Sequence, residues 1–178
     1  MHRFVAFLRG INVGGRSVKK ERLQATFSSL GFENVRTYKQ SGNVIFENSS
    51  EDLHELEERI IAELQTVLGY SVPVFLRSME QLKSVVKLDP FKGHNSEGSS
   101  FLVTFLADAS PVAFTSQLPL MISNSKAQVI SAKGTEIFSV THGGGEGALP
   151  NTFIESKLKV KATTRNLNVV RDIVEKFG

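Results

Sequence analysis

Phe4, Val5, Ala6, Phe7 and Leu8 form an unbroken apolar run. Neither alternating face is polar, so the segment is expected as a strand covered on both sides. Over residues 19–30 the period changes: Leu23, Phe27 and Leu30 recur at spacings of four and three, and Gly31 follows. That predicts a helix with a glycine stop. Residues 34–40 alternate Val35, Thr37 and Lys39 with Arg36, Tyr38 and Gln40, the pattern of a polar edge strand. Ser41, Gly42 and Asn43 then make a tight turn into Val44, Ile45 and Phe46, a second apolar and therefore central strand. Over 51–68, Leu53, Leu56, Ile60, Leu64 and Val67 line one face of a helix. Its other face carries Glu51, Asp52, Glu55, Glu57, Glu58 and Glu63, with Ser50 as the expected N-cap and Gly69 as the stop. Residues 72–77 read as a strand, and Pro73 assigns it to an edge because proline cannot donate a ladder hydrogen bond.

Strand, helix, strand, strand, helix, strand is the order of the split βαβ, or ferredoxin-like, unit. That unit centres its first and third strands and leaves the second and fourth at its edges. The apolar, polar and proline-bearing segments fall where this arrangement needs them. A short helix at 79–86 and a polar loop at 89–99 lead to a second series. It comprises a strand at 101–106, a helix at 111–122 that Pro119 interrupts, strands at 127–132 and 136–141, and helices at 151–160 and 164–177. On this reading the second series repeats the first with its last strand replaced by a helix. The expected fold class is α+β: two ferredoxin-like (α/β plait) halves, residues 1–90 and 100–178, each an antiparallel sheet with helices packed on one face.

Composition narrows the classes of function. Forty per cent hydrophobic and 22% charged residues are ordinary for a globular protein of 178 residues. The absence of cysteine excludes disulfides, thiolate metal sites and cysteine nucleophiles, and fits a reducing cytoplasm. No apolar run approaches the length of a membrane span or a signal-peptide core, so a soluble, cytoplasmic protein without a membrane partner is expected. The net charge of +3 is uneven: +5 over residues 1–50, −4 over 51–100 and +2 over 101–178. The basic surplus permits a phosphate-bearing partner without requiring one.

That surplus coincides with the most suggestive motif, Arg9, Gly10, Ile11, Asn12, Val13, Gly14, Gly15 and Arg16, set between the first strand and the first helix. Glycines there supply positive φ or close approach, and a helix start flanked by guanidinium groups suits an anion. Because the first and third strands are antiparallel neighbours, Arg9 lies beside Asn43. The expected site therefore gathers Arg9, Asn12, Gly14, Gly15, Arg16, Lys39, Gln40, Ser41 and Asn43. Arg165 and Asn166, expected behind a threonine cap at the start of the last helix, are added as a second anion-facing pair. The plainer alternative leaves the glycines as turns, Arg165 as a structural ion-pairing residue, and the tract Gly143, Gly144, Gly145, Glu146, Gly147 as a slack connection. Neither G-x-G-x-x-G nor the phosphate-loop pattern is present. The four histidines have no metal-ligand spacing, and no nucleophile–base pair is evident, so no cofactor, metal or catalytic residue is assigned.

Leu8 to Gly15, then Leu30, Gly31, Phe32, then Val35 to Tyr38 and Gln40 to Val44 together resemble the bacterial family catalogued as domain of unknown function 1697. Asp89, Pro90, Phe91, then Val103 to Leu106, then Thr164, Arg165, Asn166 extend the resemblance over nearly the whole chain. The resemblance implies a two-part α/β protein on the ferredoxin-like plait and carries no established activity. The family usually has Trp and Thr where this chain has Leu167 and Val169, and a serine near Ala148, Leu149 and Pro150. The leading expectation is a protein that binds a phosphate-containing small molecule or nucleic acid through the basic glycine loop. The alternatives are an enzyme acting on a small anionic substrate in a cleft between the halves, and a structural or oligomeric interaction module.

Overall fold

The computed structural model describes residues 1–15, 17–39, 42–94, 97–108, 115, 117–122, 126–142 and 150–178. It is a mixed α/β protein with two antiparallel sheets and helices. Its contacts divide it into two compact units, Met1–Lys83 with Lys176–Gly178, and Ser84–Glu175.

The first unit runs β1 (His2–Leu8), α1 (Lys20–Ser29), β2 (Glu33–Tyr38), β3 (Asn43–Asn48), α2 (Leu53–Leu68) and β4 (Val74–Ser78), after which α3 (Met79–Leu88) begins. Its strands lie in the order β2-β3-β1-β4. The apolar β1 and β3 are central, and the polar β2 and the strand that follows Pro73 are the edges. Alternation sets the register: Phe4 faces Phe46 and Ala6 faces Val44 across the β1–β3 pair. These four side chains share one sheet face and form a core with Leu23 and Phe27 of α1 and Leu56, Ile60 and Leu64 of α2. Phe46 is the hub, its ring centroid 5.6 Å from Phe4, 5.5 Å from Phe27 and 4.4 Å from Phe32. Burial of each such ring is worth about 1.5–3 kcal/mol.

Two local details differ from the pattern-based reading. The N-cap of α2 is Asp52, whose Oδ1 accepts from the backbone N–H groups of His54 and Glu55 at 3.1 Å each. Ser50 instead accepts from the Asp52 N–H at 3.2 Å and so supports the cap without being it. The second detail is a register shift between Glu33 and Arg36, with Asn34 at φ +50°. One strand gains length against its partner there, as in a β-bulge. The Asn34 Nδ2 donates to Glu47 Oε2 at 2.6 Å, and Arg3 Nε and Nη2 donate to Glu47 Oε1 at 2.9 and 2.6 Å. Those hydrogen bonds, Asn34 first and then Arg3, hold the Glu47 carboxyl below its usual range.

The second unit contains β5 (Ser99–Leu106), β6 (Leu120–Met121), β7 (Ala127–Lys133), β8 (Glu136–His142), α4 (Pro150–Leu158), β9 (Ala162–Asn166) and α5 (Leu167–Phe177), whose last residues count with the first unit. The strand order is β6-β7-β8-β5-β9. Leu106, Ile122, Val129, Ile137, Ile154 and Ala162 belong to one buried cluster. Residues 162–166 correct the expected helix over 164–177: they form β9, paired with β5 from Leu106–Ala162 to Leu102–Asn166. The last strand, expected to be replaced by a helix, is therefore present. Thr163 and Thr164 are β-branched and suit a ladder, and the Thr104 and Thr164 hydroxyls meet across it at 2.8 Å. The helical period begins only at Leu167. Of the helix expected at 111–122, residues 111–114 and 116 lie outside the described residues. Its C-terminal end is corrected, since Leu120 and Met121 pair with Val129 and Gln128 as β6. Pro119, which lacks an N–H, immediately precedes that strand.

Candidate functional site

The register of β1 and β3 brings two loops together. Phe7 is paired with Asn43, and the Leu8 N–H donates to the Gly42 carbonyl at 2.7 Å. The glycine loop thus leaves β1 at the point where the turn enters β3. Gly42 is held at φ +69°, and a Cβ there would sit 2.9 Å from Ile11 Cγ2, 3.0 Å from Leu8 Cβ and 3.1 Å from the Leu8 carbonyl oxygen. Only glycine fits both the backbone angle and the space. Ile11 is buried and pins the loop to the core. The Arg9 N–H donates to the Pro73 carbonyl at 3.0 Å, and Asn12 Oδ1 accepts from the Val18 N–H at 2.8 Å. The second bond folds the loop back onto the segment entering α1. Gly14 and Gly15 are exposed, and a Cβ on either would meet nothing within 4 Å. Their positive φ serves the turn rather than packing.

Between these loops and α1 lies a cavity of about 660 Å³. Asn12, Lys39, Gly42 and Asn43 line it from the loops, and Lys19 and Lys20 line it from the helix start. Asn43 is 1% exposed, and its Nδ2 donates to the Tyr38 carbonyl at 2.9 Å. Lys39 has φ +55°, with its Nζ 5.3 Å from the Tyr38 ring centroid. Lys19 occupies the N-cap position of α1 in extended geometry, and its side chain makes no capping hydrogen bond. Helix N-termini carry unsatisfied N–H groups and partial positive charge. The local field is therefore cationic, tempered by Glu21, whose carboxylate lies 3.7 Å from Lys20 Nζ.

Of the residues expected at this site, Asn12, Lys39 and Asn43 share the cavity wall. Arg9, Gly14 and Gly15 belong to the same loop, Arg9 half-buried. Arg16, Gln40 and Ser41 lie outside the described residues. Arg165 and Asn166 are in the second unit and on β9, so neither opens a helix behind a threonine cap. Arg165 Nη1 donates to Thr163 Oγ1 and to the Thr164 carbonyl, both at 2.9 Å. Burial pushes its guanidinium down to about 10, still cationic at neutral pH. Asn166 itself caps α5, accepting from the Asn168 N–H at 2.9 Å.

Sequence reasoning missed Lys19 and Lys20. Two lysines at a helix start oppose the helix dipole, and a local rule broken inside the most basic third of the chain is the signal that points to them. It also missed Ser99, whose Oγ is 2.9 Å from His142 Nδ1 across the β5–β8 pair. The two side chains make a cross-strand hydrogen bond within the reach of a nucleophile and base. Among the described residues no three His, Asp or Glu side chains gather as a metal site needs, and no helix is long and apolar enough to cross a membrane.

The model of a protein of unknown function (DUF1697) matches residues 1–138. Among solved structures the chain resembles the conserved bacterial protein SP0830 from Streptococcus pneumoniae, with a TM-score of 0.73 and 21% identity over 98% of this chain and 97% of that one. That likeness is one of fold. No curated protein matches the chain.

Proposed function

We propose, from the premise that the chain belongs to the DUF1697 family of proteins of unknown function, that it binds a phosphate-bearing ligand in the cavity at the start of α1. The observation that carries this reading is the convergence of Lys19, Lys20 and Lys39 on one concave site beside an uncapped helix N-terminus. Ammonium groups and helix-start N–H groups both favour an anion, and a cavity concentrates their effect. The scaffold reading that accompanies it is of two ferredoxin-like plaits. Setting β6 aside, β7-β8-β5-β9 follows β2-β3-β1-β4 strand for strand. The cytoplasm, where phosphorylated molecules abound and thiols stay reduced, is the compartment this reading assigns.

Isothermal titration with inorganic phosphate and pyrophosphate at low salt tests the proposal. Binding is expected to weaken as salt rises and to fall at least about tenfold in the double variant Lys19→Ala, Lys39→Ala, equivalent to 1.4 kcal/mol. Equal affinity in that variant, with its circular dichroism unchanged, places any anion site elsewhere.

A further inference from the structure

Resting on the phosphate-binding reading, we infer that the cavity takes a small phosphorylated sugar or polyol rather than nucleic acid or phosphate alone. A volume of about 660 Å³ falls within the range that encloses a whole drug-sized molecule. A bare phosphate leaves most of that space unused. Beyond the three lysines, the wall offers neutral hydrogen-bonding groups, the hydroxyls of Ser17 and Thr37. Such groups recognise hydroxyls. Its apolar contribution is aliphatic, from Val18 and Leu23.

Two features set this wall apart from a nucleic-acid surface. None of its described residues is aromatic, whereas single-stranded binding without sequence preference depends on rings against which bases stack. The wall also holds a carboxylate, Glu21, next to Lys20. In a groove that follows a polyphosphate backbone a carboxylate repels its ligand. Facing a sugar it accepts hydrogen bonds from hydroxyls, and the neighbouring lysine offsets its charge. Glu21 therefore acts as a selectivity group, favouring a ligand with one phosphoryl group and several hydroxyls.

The test is a titration panel on the full chain: ribose 5-phosphate, glucose 6-phosphate and glycerol 3-phosphate, against inorganic phosphate, free ribose and a short single-stranded oligonucleotide. At least one phosphorylated polyol is expected to bind about tenfold more tightly than inorganic phosphate and more tightly than the oligonucleotide. Glu21→Gln is expected to weaken that ligand while leaving inorganic phosphate unchanged or tighter. The inference is overturned if all three polyol phosphates bind no better than phosphate, if the oligonucleotide binds best, or if Glu21→Gln affects every anion alike. Failure of every anion to bind defeats the phosphate reading itself, a result distinct from binding of phosphate without preference for its organic part.

Discussion

Replacing Gly42 with alanine tests whether the two loops are locked together as described. The backbone there has φ +69°, and holding an L-residue in the left-handed region costs about 1–2 kcal/mol. The new Cβ meets Ile11 Cγ2 at 2.9 Å, Leu8 Cβ at 3.0 Å and the Leu8 carbonyl oxygen at 3.1 Å. None of these is the end of a flexible side chain. Leu8 is a strand residue 1% exposed, Ile11 is 2% exposed, and the Leu8 N–H is already bonded to Gly42 at 2.7 Å. Overpacking of this kind adds about 1–3 kcal/mol. Alanine also restricts the unfolded chain, which returns about 0.4–1 kcal/mol. The net expectation is about 2–4 kcal/mol, a large part of the roughly 5–15 kcal/mol by which a folded domain exceeds its unfolded state. Gly15→Ala is the control: its φ is +81° but its Cβ would meet nothing within 4 Å, so only the dihedral cost remains, about 1 kcal/mol or less after the same offset. Urea unfolding followed by tyrosine fluorescence makes the comparison. The chain has no tryptophan, and both tyrosines, Tyr38 and Tyr70, lie in the first unit, so the signal reports that unit. If Gly42→Ala costs no more than Gly15→Ala, the close packing of turn against loop is refuted. Because Asn43 follows directly, the same variant is also expected to weaken phosphate binding.

In the second unit, Thr104→Val is expected to cost about 1–3 kcal/mol by leaving the Thr164 hydroxyl buried without its partner, while the double variant with Thr164→Val recovers most of the loss; simple additivity by urea unfolding followed with circular dichroism would count against the paired hydroxyls. The Glu47 carboxyl is held below its usual range, so its stabilisation is complete above the unfolded pKa of about 4.3 and is lost as pH falls through the lower folded value. Glu47→Gln should therefore reduce stability by up to about 1 kcal/mol at pH 7 and flatten the stability profile below about pH 4; a variant whose acid limb matches that of the parent would contradict this.

Where periodicity and packing coincide, the elements are legible in the sequence. β1 and β3 are apolar on both faces because they are central, and α2 separates its Leu56, Ile60 and Leu64 face from its acidic face. Legibility fails where a tertiary partner decides. Residues 162–166 carry no helical period of their own, and it is pairing with β5 that makes them a strand. Asp52 replaces Ser50 as a cap because the helix begins two residues later than its acidic flank suggests. The meeting of Asn12, Lys39 and Asn43 follows from strand order and could be read in advance. Lys19 and Lys20 are marked in the sequence only as two lysines set against a helix dipole, and their place on the cavity wall depends on how α1 sits against the loop.

The bulge at Asn34 has a bearing on the solution behaviour of the chain. An edge strand with an even row of unpaired N–H and C=O groups is a template on which another strand can add. In β2 that row is interrupted between Glu33 and Arg36, and Asn34 at the interruption is tied to the Glu47 carboxylate of the neighbouring β3. An incoming strand would have to match a ladder that changes step halfway along. At its β2 edge the first sheet is thus a poor template for further growth, because one displaced residue breaks the ladder.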